Sequence, residues 1–272
     1  MGISLANQHA LITGGGSGIG LAAARVLAED GARVSLVGRT LEKLEKAALT
    51  FADQQRVQVY AADVADEAQV AAVVEAANAW APLTIALANA GTGDIAPLVV
   101  TDSGRWDTVL QTNLTGTFYT FKHAGRAIAR AGGGALCAIS SIAGVRTHRF
   151  MHAYCVSKAG IDMLVRTCAD ELGAAGVRVN SVCPGLVDTE LASGLFASEA
   201  ILADYLDCMP LKRTGQVQDI AAAVRFLCGP ESSWITGVNL SVDGGHHLRR
   251  GPDYEPFTRT LFGDDLTEGR YA

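Results

Sequence analysis

The chain has 272 residues, 49% of them apolar and 18% charged, enough to bury a sizeable core, which excludes disulfide miniproteins and disordered segments. A formal charge of −6 gives no footing for nucleic acid or anionic lipid. Six cysteines without a C-x-x-C pair exclude zinc ribbons and redox dithiols; they read as buried thiols of a reducing compartment, and no metal site is expected.

The first residues, Met1-Gly2-Ile3-Ser4-Leu5, carry no basic segment, and no apolar run reaches membrane-spanning length, so a cytoplasmic protein without a membrane partner is expected. A myristoylation motif fails because Ala6 stands where Ser or Thr is needed. From there, short β-type runs alternate with segments of helical period, the pattern of a parallel sheet covered on both faces. Strands are expected near Ala10–Ile12, Arg33–Val37, Val57–Tyr60, Thr84–Ala88, Ala135–Ser140, Arg178–Val182 and Val238–Ser241. Helices are expected near 18–29, 41–50, 66–79, 104–131, 153–173 and 216–228, with Gly31, Gly132 and Gly229 suited to the position just past a helix end. The prediction is an α/β fold: one Rossmann-type, doubly wound sheet of about seven parallel strands over residues 1–250, with 251–272 as a C-terminal extension. No linker or internal repeat divides it.

The first strand runs through Thr13-Gly14-Gly15-Gly16-Ser17-Gly18-Ile19-Gly20 into the helix former Leu21-Ala22-Ala23-Ala24. Such a turn aims backbone amides at an anion: Gly14, Gly18 and Gly20 permit the tight bend, close approach to a pyrophosphate and close packing of helix on strand. No P-loop lysine follows. After the second strand, an NAD enzyme normally has a carboxylate for the adenosine ribose; here that position is Gly38. Arg39, next in line, suits a 2′-phosphate, so NADP is expected, with NAD as the alternative. Farther on, Tyr154 and Lys158 are four residues apart on one helical face, where an ammonium favours phenolate and makes Tyr154 a usable acid/base. Ser141 closes a strand at the sheet edge where ligands of open α/β sheets gather.

The T-G-x-x-x-G-x-G spacing and the Y-x-x-x-K pair resemble the short-chain dehydrogenase/reductase family, over roughly residues 7–245. The resemblance implies a catalytic quartet of Asn113, Ser141, Tyr154 and Lys158, with Ser141 selected over Ser140 by its distance from the tyrosine. It implies hydride transfer between nicotinamide C4 and an alcohol carbon, Tyr154 giving a proton to the developing alkoxide and Ser141 bonding it. Lys158 would lower the Tyr154 pKa and hold the nicotinamide ribose, and Asn113 would organise a water that resupplies the proton. The glycine turn, with Gly16, Ser17 and Ile19, would hold the pyrophosphate. Asp63-Val64 would hold adenine, and Asn89-Ala90-Gly91 matches a family signature whose first Asn is Ala88 here, leaving Asn89 to brace the sheet. Pro184-Gly185, Val187 and Thr189 would face the nicotinamide. Relatives are commonly tetramers, so a homotetramer is expected.

Substrate contacts are expected from Gly93-Asp94-Ile95, from Ile142 to Met151 (Ala143, His148 and Met151 among them) and from Leu186 to Leu211. That last stretch mixes Leu191, Leu195, Phe196, Ile201, Leu202, Tyr205 and Leu206 with acids, reading as a short amphipathic lid over an apolar pocket. A medium or large hydrophobic small-molecule alcohol or ketone fits best, with 3-oxoacyl thioesters and steroid-like alcohols both open. His148 reads as solvent-exposed unless it orients substrate. Tyr254, Phe257, Phe262 and Tyr271 argue that the extension is not a free tail; packing against a neighbouring subunit, beside that subunit's cleft, is expected. His246-His247 is too short for a metal site. Two other readings are an NADP-binding redox sensor or scaffold without turnover, and a serine hydrolase, whose G-x-S-x-G pattern fails at Ile19.

Overall fold

The computed structural model describes residues 4–251 and 253–270, so Met1, Gly2, Ile3 and Tyr271 lie outside the described residues. In chain order the elements are β1 (His9–Thr13), α1 (Gly18–Glu29), β2 (Arg33–Gly38), α2 (Leu41–Ala48), β3 (Val57–Ala61), α3 (Glu67–Trp80) and β4 (Ile85–Ala88). There follow α4 (Ser103–Leu110), α5 (Gly116–Arg130), β5 (Gly134–Ile139), α6 (His152–Leu172), β6 (Val177–Pro184), α7 (Ser193–Phe196) and α8 (Glu199–Cys208). The last elements are α9 (Val217–Cys228), β7 (Asn239–Val242) and α10 (Glu255–Glu268).

All seven strands join one parallel sheet in the order β3-β2-β1-β4-β5-β6-β7. Each expected strand is present. A parallel strand covered on both faces must be apolar along its whole length, and β1 and β4 are buried throughout. On one face, Leu27 of α1 and Ile220, Val224 and Leu227 of α9 pack with Ile12, Leu36 and Ile85. On the other, Val70, Val74, Phe121, Ile128, Ile161 and Val165 pack from α3, α5 and α6 onto Leu11, Ala86 and Leu136. The chain crosses over between β1 and β4, opening a crevice at the carboxyl ends of these strands, where open α/β sheets bind ligands.

Three local expectations need correction. Gly31 and Gly132 do have φ of +99° and +98° after their helices, but Gly229 is extended at φ −80°. Pro230 follows it, and the proline ring pushes the preceding residue out of helical and left-handed conformations. The long helix expected over 104–131 is α4 and α5 joined by a π-helical turn, Gln111–Thr115, whose extra residue turns Asn113 inward. The stretch expected as a single lid is two helices, α7 and α8, and α8 buries Ile201, Tyr205 and Cys208.

The extension packs on its own chain. Tyr254 and Thr258 are fully buried, Phe257 and Phe262 half-buried, and Arg149 donates to Glu255 Oε2 at 2.6 Å and to the Thr267 carbonyl at 2.8 Å. Gly263, at φ +81°, kinks α10. Of the six thiols, Cys137, Cys183, Cys208 and Cys228 are buried as expected, whereas Cys155 and Cys168, both on α6, are half-buried.

Candidate active site

At the phosphate end, Gly14 and Gly18 take φ of +65° and +53°, conformations that a Cβ disfavours. A Cβ on Gly20 would lie 2.4 Å from the Gly14 carbonyl oxygen, so the helix start and the turn touch backbone to backbone. Gly18 opens α1 with Ser17 as its extended N-cap, and the Ser17 side chain makes no cap bond. Those first amides are left to an anion. Asn89 braces this arrangement as expected: its Nδ2 donates to the Thr13 and Gly14 carbonyls at 3.0 and 3.2 Å, while Thr13 Oγ1 accepts from the amides of Asn89 and Ala90. Across the opening, Thr189 lies 3.6 Å from where a Gly18 Cβ would be, so the turn and the segment after β6 face each other. Val187 is buried and bridged to Gly215, and Gly185 rests against Asp243.

Gly38 ends β2, and Arg39 is exposed beside the turn, where it makes no hydrogen bond or ion pair among the described residues. Asp63 is half-buried and its Oδ1 accepts from the Ala65 amide; the N-cap of α3 is Asp66. Val64 is buried against Gly116, where a Cβ would come within 2.8 Å of Val64 Cγ2, so α5 meets the end of β3 closely.

At the chemical end, Ser141 follows β5, Tyr154 and Lys158 lie in the first turns of α6, and Asn113 sits in the π-turn. Lys158 is buried, and its Nζ donates to the Ile139 carbonyl at 2.8 Å and lies 5.4 Å from the Tyr154 ring centre. Burial lowers its pKa to about 8 against the pull of Cys183 and Asp162, so the ammonium stays charged at neutral pH. Burial raises the Tyr154 pKa, and a hydrogen bond with Ser141 partly offsets this. In the chain alone, desolvation of the phenol is the largest influence on Tyr154, with Lys158 Nζ over its ring. Ser141 Oγ also accepts from the Ala143 amide at 3.1 Å, which fixes its position and leaves Ala143 itself buried.

Asn113 is buried, but its side chain is fully used: Oδ1 accepts from the Thr92 amide at 2.8 Å, and Nδ2 donates to the Thr92 carbonyl and to Ser157 Oγ. Ser157 Oγ in turn donates to the Tyr154 carbonyl at 2.7 Å, tying the π-turn to the start of α6. Sequence reading missed Ser157, as it missed Asp162, whose spacing of four from Lys158 was the available signal.

On the substrate side, Tyr154 packs in a cluster with Met151, Leu186, Ile201, Tyr205 and Tyr254. Gly93 faces the Tyr154 ring, at 3.7 Å from its would-be Cβ. His148 is buried, not exposed as expected, because the extension covers it: its ring lies 6.4 Å from that of Tyr254 and 6.3 Å from that of His246. Burial lowers its pKa to about 4, so it is neutral at pH 7, and its Nδ1 faces the Arg146 carbonyl. Tyr205 and Tyr254, 49 residues apart, join hydroxyl to hydroxyl.

A glycine turn at the switch point of a doubly wound sheet, with Tyr154 beside a buried Lys158 on one helix and Ser141 at the end of β5, defines a dinucleotide-dependent oxidoreductase. Residues 14–247 match the family model described as enoyl-(acyl carrier protein) reductase. The galactitol 2-dehydrogenase (L-tagatose-forming) of Cereibacter sphaeroides is 36% identical over 239 residues, covering 87% of this chain and 94% of that protein. A short-chain type dehydrogenase/reductase from Mycobacterium ulcerans superposes with a TM-score of 0.93 at 39% identity, covering 98% of this chain and 99% of that one. A gluconate 5-dehydrogenase from Burkholderia cenocepacia, solved in complex with NADP and tartrate, gives 0.87 at 31% identity, covering 90% and 97%. The chain belongs to the short-chain dehydrogenase/reductase family. It is an NAD(P)-dependent oxidoreductase acting on alcohols or ketones. Among the described residues no helix is long and apolar enough to cross a membrane.

Proposed function

We propose that this chain exchanges hydride between NADP and a secondary alcohol or ketone with a medium or large, mainly apolar body. The observation that carries this is the seating of Tyr154, whose ring centre lies 5.4 Å from Lys158 Nζ and which packs into the apolar cluster of Met151, Leu186 and Ile201. The residues present fit a dinucleotide, because the glycine turn is a cradle that side chains would fill. Backbone from Gly14 through Gly20, Gly16, Ser17 and Ile19 included, holds the pyrophosphate. Asp63 and Val64 hold adenine, Asn89, Ala90 and Gly91 line the sheet end, and Pro184, Gly185, Val187 and Thr189 face the nicotinamide. When bound, the nicotinamide supplies or takes the hydride.

Tyr154 gives its proton to the carbonyl oxygen in reduction, and Ser141 holds that oxygen. Lys158, charged at neutral pH, binds ribose hydroxyls and stabilises the phenolate left behind. Asn113 contributes through its main-chain carbonyl, since its side-chain amide is spent; that carbonyl accepts from Thr117 Oγ1 and keeps a lone pair for a water. His148 and Ala143, both buried, shape the pocket from behind. A panel of alcohols and ketones, including 3-oxoacyl thioesters and steroid-like alcohols, with NAD(H) and NADP(H), tests the reading by nicotinamide absorbance. Preference for small, highly polar substrates would overturn it.

Arg39 carries the cofactor choice. Arg39→Ala is expected to raise the KM for NADP about 10- to 100-fold, the worth of roughly 1.5–3 kcal/mol for a charge-assisted contact, and to leave that for NAD within about twofold. A strong NAD preference in the unaltered protein would refute the assignment. We place the protein in the cytoplasm, where thiols such as Cys137 and Cys183 stay reduced in their apolar settings. A homotetramer is supported by large apolar side chains left at the surface of α5 and α6, namely Phe118, Val156 and Met163, and by Leu261 on the extension. Met163→Glu is expected to sediment as a smaller species; an unchanged sedimentation coefficient would count against this face.

A further inference from the structure

The C-terminal extension, together with Arg249 and Arg250 just before it, is fastened at several points to two segments that border Tyr154. The first is α8. Arg250 pairs with Asp204, which also accepts from the Asp253 amide at 2.6 Å, and Arg249 Nη1 donates to the Asp207 carbonyl at 2.6 Å. Above these, Tyr254 meets Tyr205 hydroxyl to hydroxyl with both rings buried. The second is the loop entering α6. Phe150 in that loop has φ +72°, a left-handed conformation rare for a bulky non-glycine residue, and such strain persists only where the surroundings hold it. The neighbouring Arg149 is held by Glu255 Oε2 and the Thr267 carbonyl, both from the extension, and stacks 4.5 Å over the Phe150 ring. Met151, one residue on, packs in the same apolar cluster as Tyr154, Tyr205 and Tyr254.

We propose that the extension fixes the substrate wall of its own subunit, with Tyr254 as the positioning residue that sets α8 against the catalytic tyrosine through Tyr205. This rests on the alcohol–ketone reading above. It also gives the extension a role within one subunit, separate from any contact it makes with a neighbour. The cluster that Tyr254 joins includes no residue of the glycine turn, so its influence is expected on substrate and not on cofactor.

The test is a double-mutant cycle with Tyr205→Phe and Tyr254→Phe, read with the secondary alcohol of the panel that the unaltered protein oxidises fastest. Each single change keeps the ring but leaves a buried hydroxyl without its partner, and each is expected to raise the alcohol KM about tenfold. The KM for NADP and the kcat at saturation should stay within about twofold. The double variant should be no worse than either single one, because two apolar rings of the same shape leave nothing unsatisfied. A KM unmoved by Tyr254→Phe, additive losses, or a matching loss of NADP affinity would overturn the proposal while turnover by the unaltered protein left the enzymatic reading intact. No turnover of any alcohol or ketone would bring down both.

Discussion

Tyr154→Phe is expected to lower kcat by about 10²- to 10⁴-fold, the usual worth of a positioned acid/base, with NADP affinity and melting temperature nearly unchanged. The phenyl ring retains the packing against Met151 and Gly93, and Lys158 keeps its bond to the Ile139 carbonyl, so only the proton is removed. The pH dependence follows from the two shifts. Burial raises the Tyr154 pKa and lowers that of Lys158 to about 8, so at pH 7 both groups carry their protons and the site is set to donate one, favouring ketone reduction. Alcohol oxidation needs the phenolate and should rise as pH is raised. Reduction should fall once pH passes about 8, where Lys158 loses its charge and the phenolate left on Tyr154 loses its neighbour. Initial rates in both directions from pH 6 to 10 check this; the opposite ordering would refute the assignment of Tyr154 as the proton donor.

Gly20→Ala should abolish tight cofactor binding. The added methyl would lie 2.4 Å from the Gly14 carbonyl oxygen and 2.5 Å from Asn89 Nδ2. Neither neighbour can step aside: one is backbone, and the other is held by two carbonyls at 3.0 and 3.2 Å. Overpacking of this kind costs about 1–3 kcal/mol of stability, and because the shift falls on the amides that face the pyrophosphate, the dissociation constant for NADP should rise by at least about tenfold. Gly173→Ala is the matched control: nothing lies within 4 Å of its Cβ position and its φ of −57° suits any residue. Fluorescence titration with NADPH and thermal melting of both variants separate the clash from the mere loss of a glycine. Wild-type affinity in Gly20→Ala would refute the turn as the anion site.

The glycine turn, the strand positions and the Tyr154–Lys158 pair were legible because each is a local pattern: a backbone requirement at fixed offsets, continuous burial over a strand, and two residues one helical turn apart. Gly229 was misread although Pro230 stood beside it in the sequence, since the proline rule overrides the preference of glycine for the end of a helix. Asn113 was found as a residue but not in its posture, because a π-turn depends on packing of α4 and α5 against α6, which periodicity does not record.

The sequence by itself thus determined the fold class, the glycine turn at the start of α1 and the pairing of Tyr154 with Lys158 on one helix. The tertiary structure alone decided that His148 is buried and neutral, that burial pushes the Tyr154 pKa up, and that Tyr254 joins Tyr205 across 49 residues of chain. The reason is one of range. Backbone sterics and helical spacing act over a few residues and are written in order along the chain, whereas burial and buried hydrogen bonds depend on which distant segments the sheet brings to the same edge.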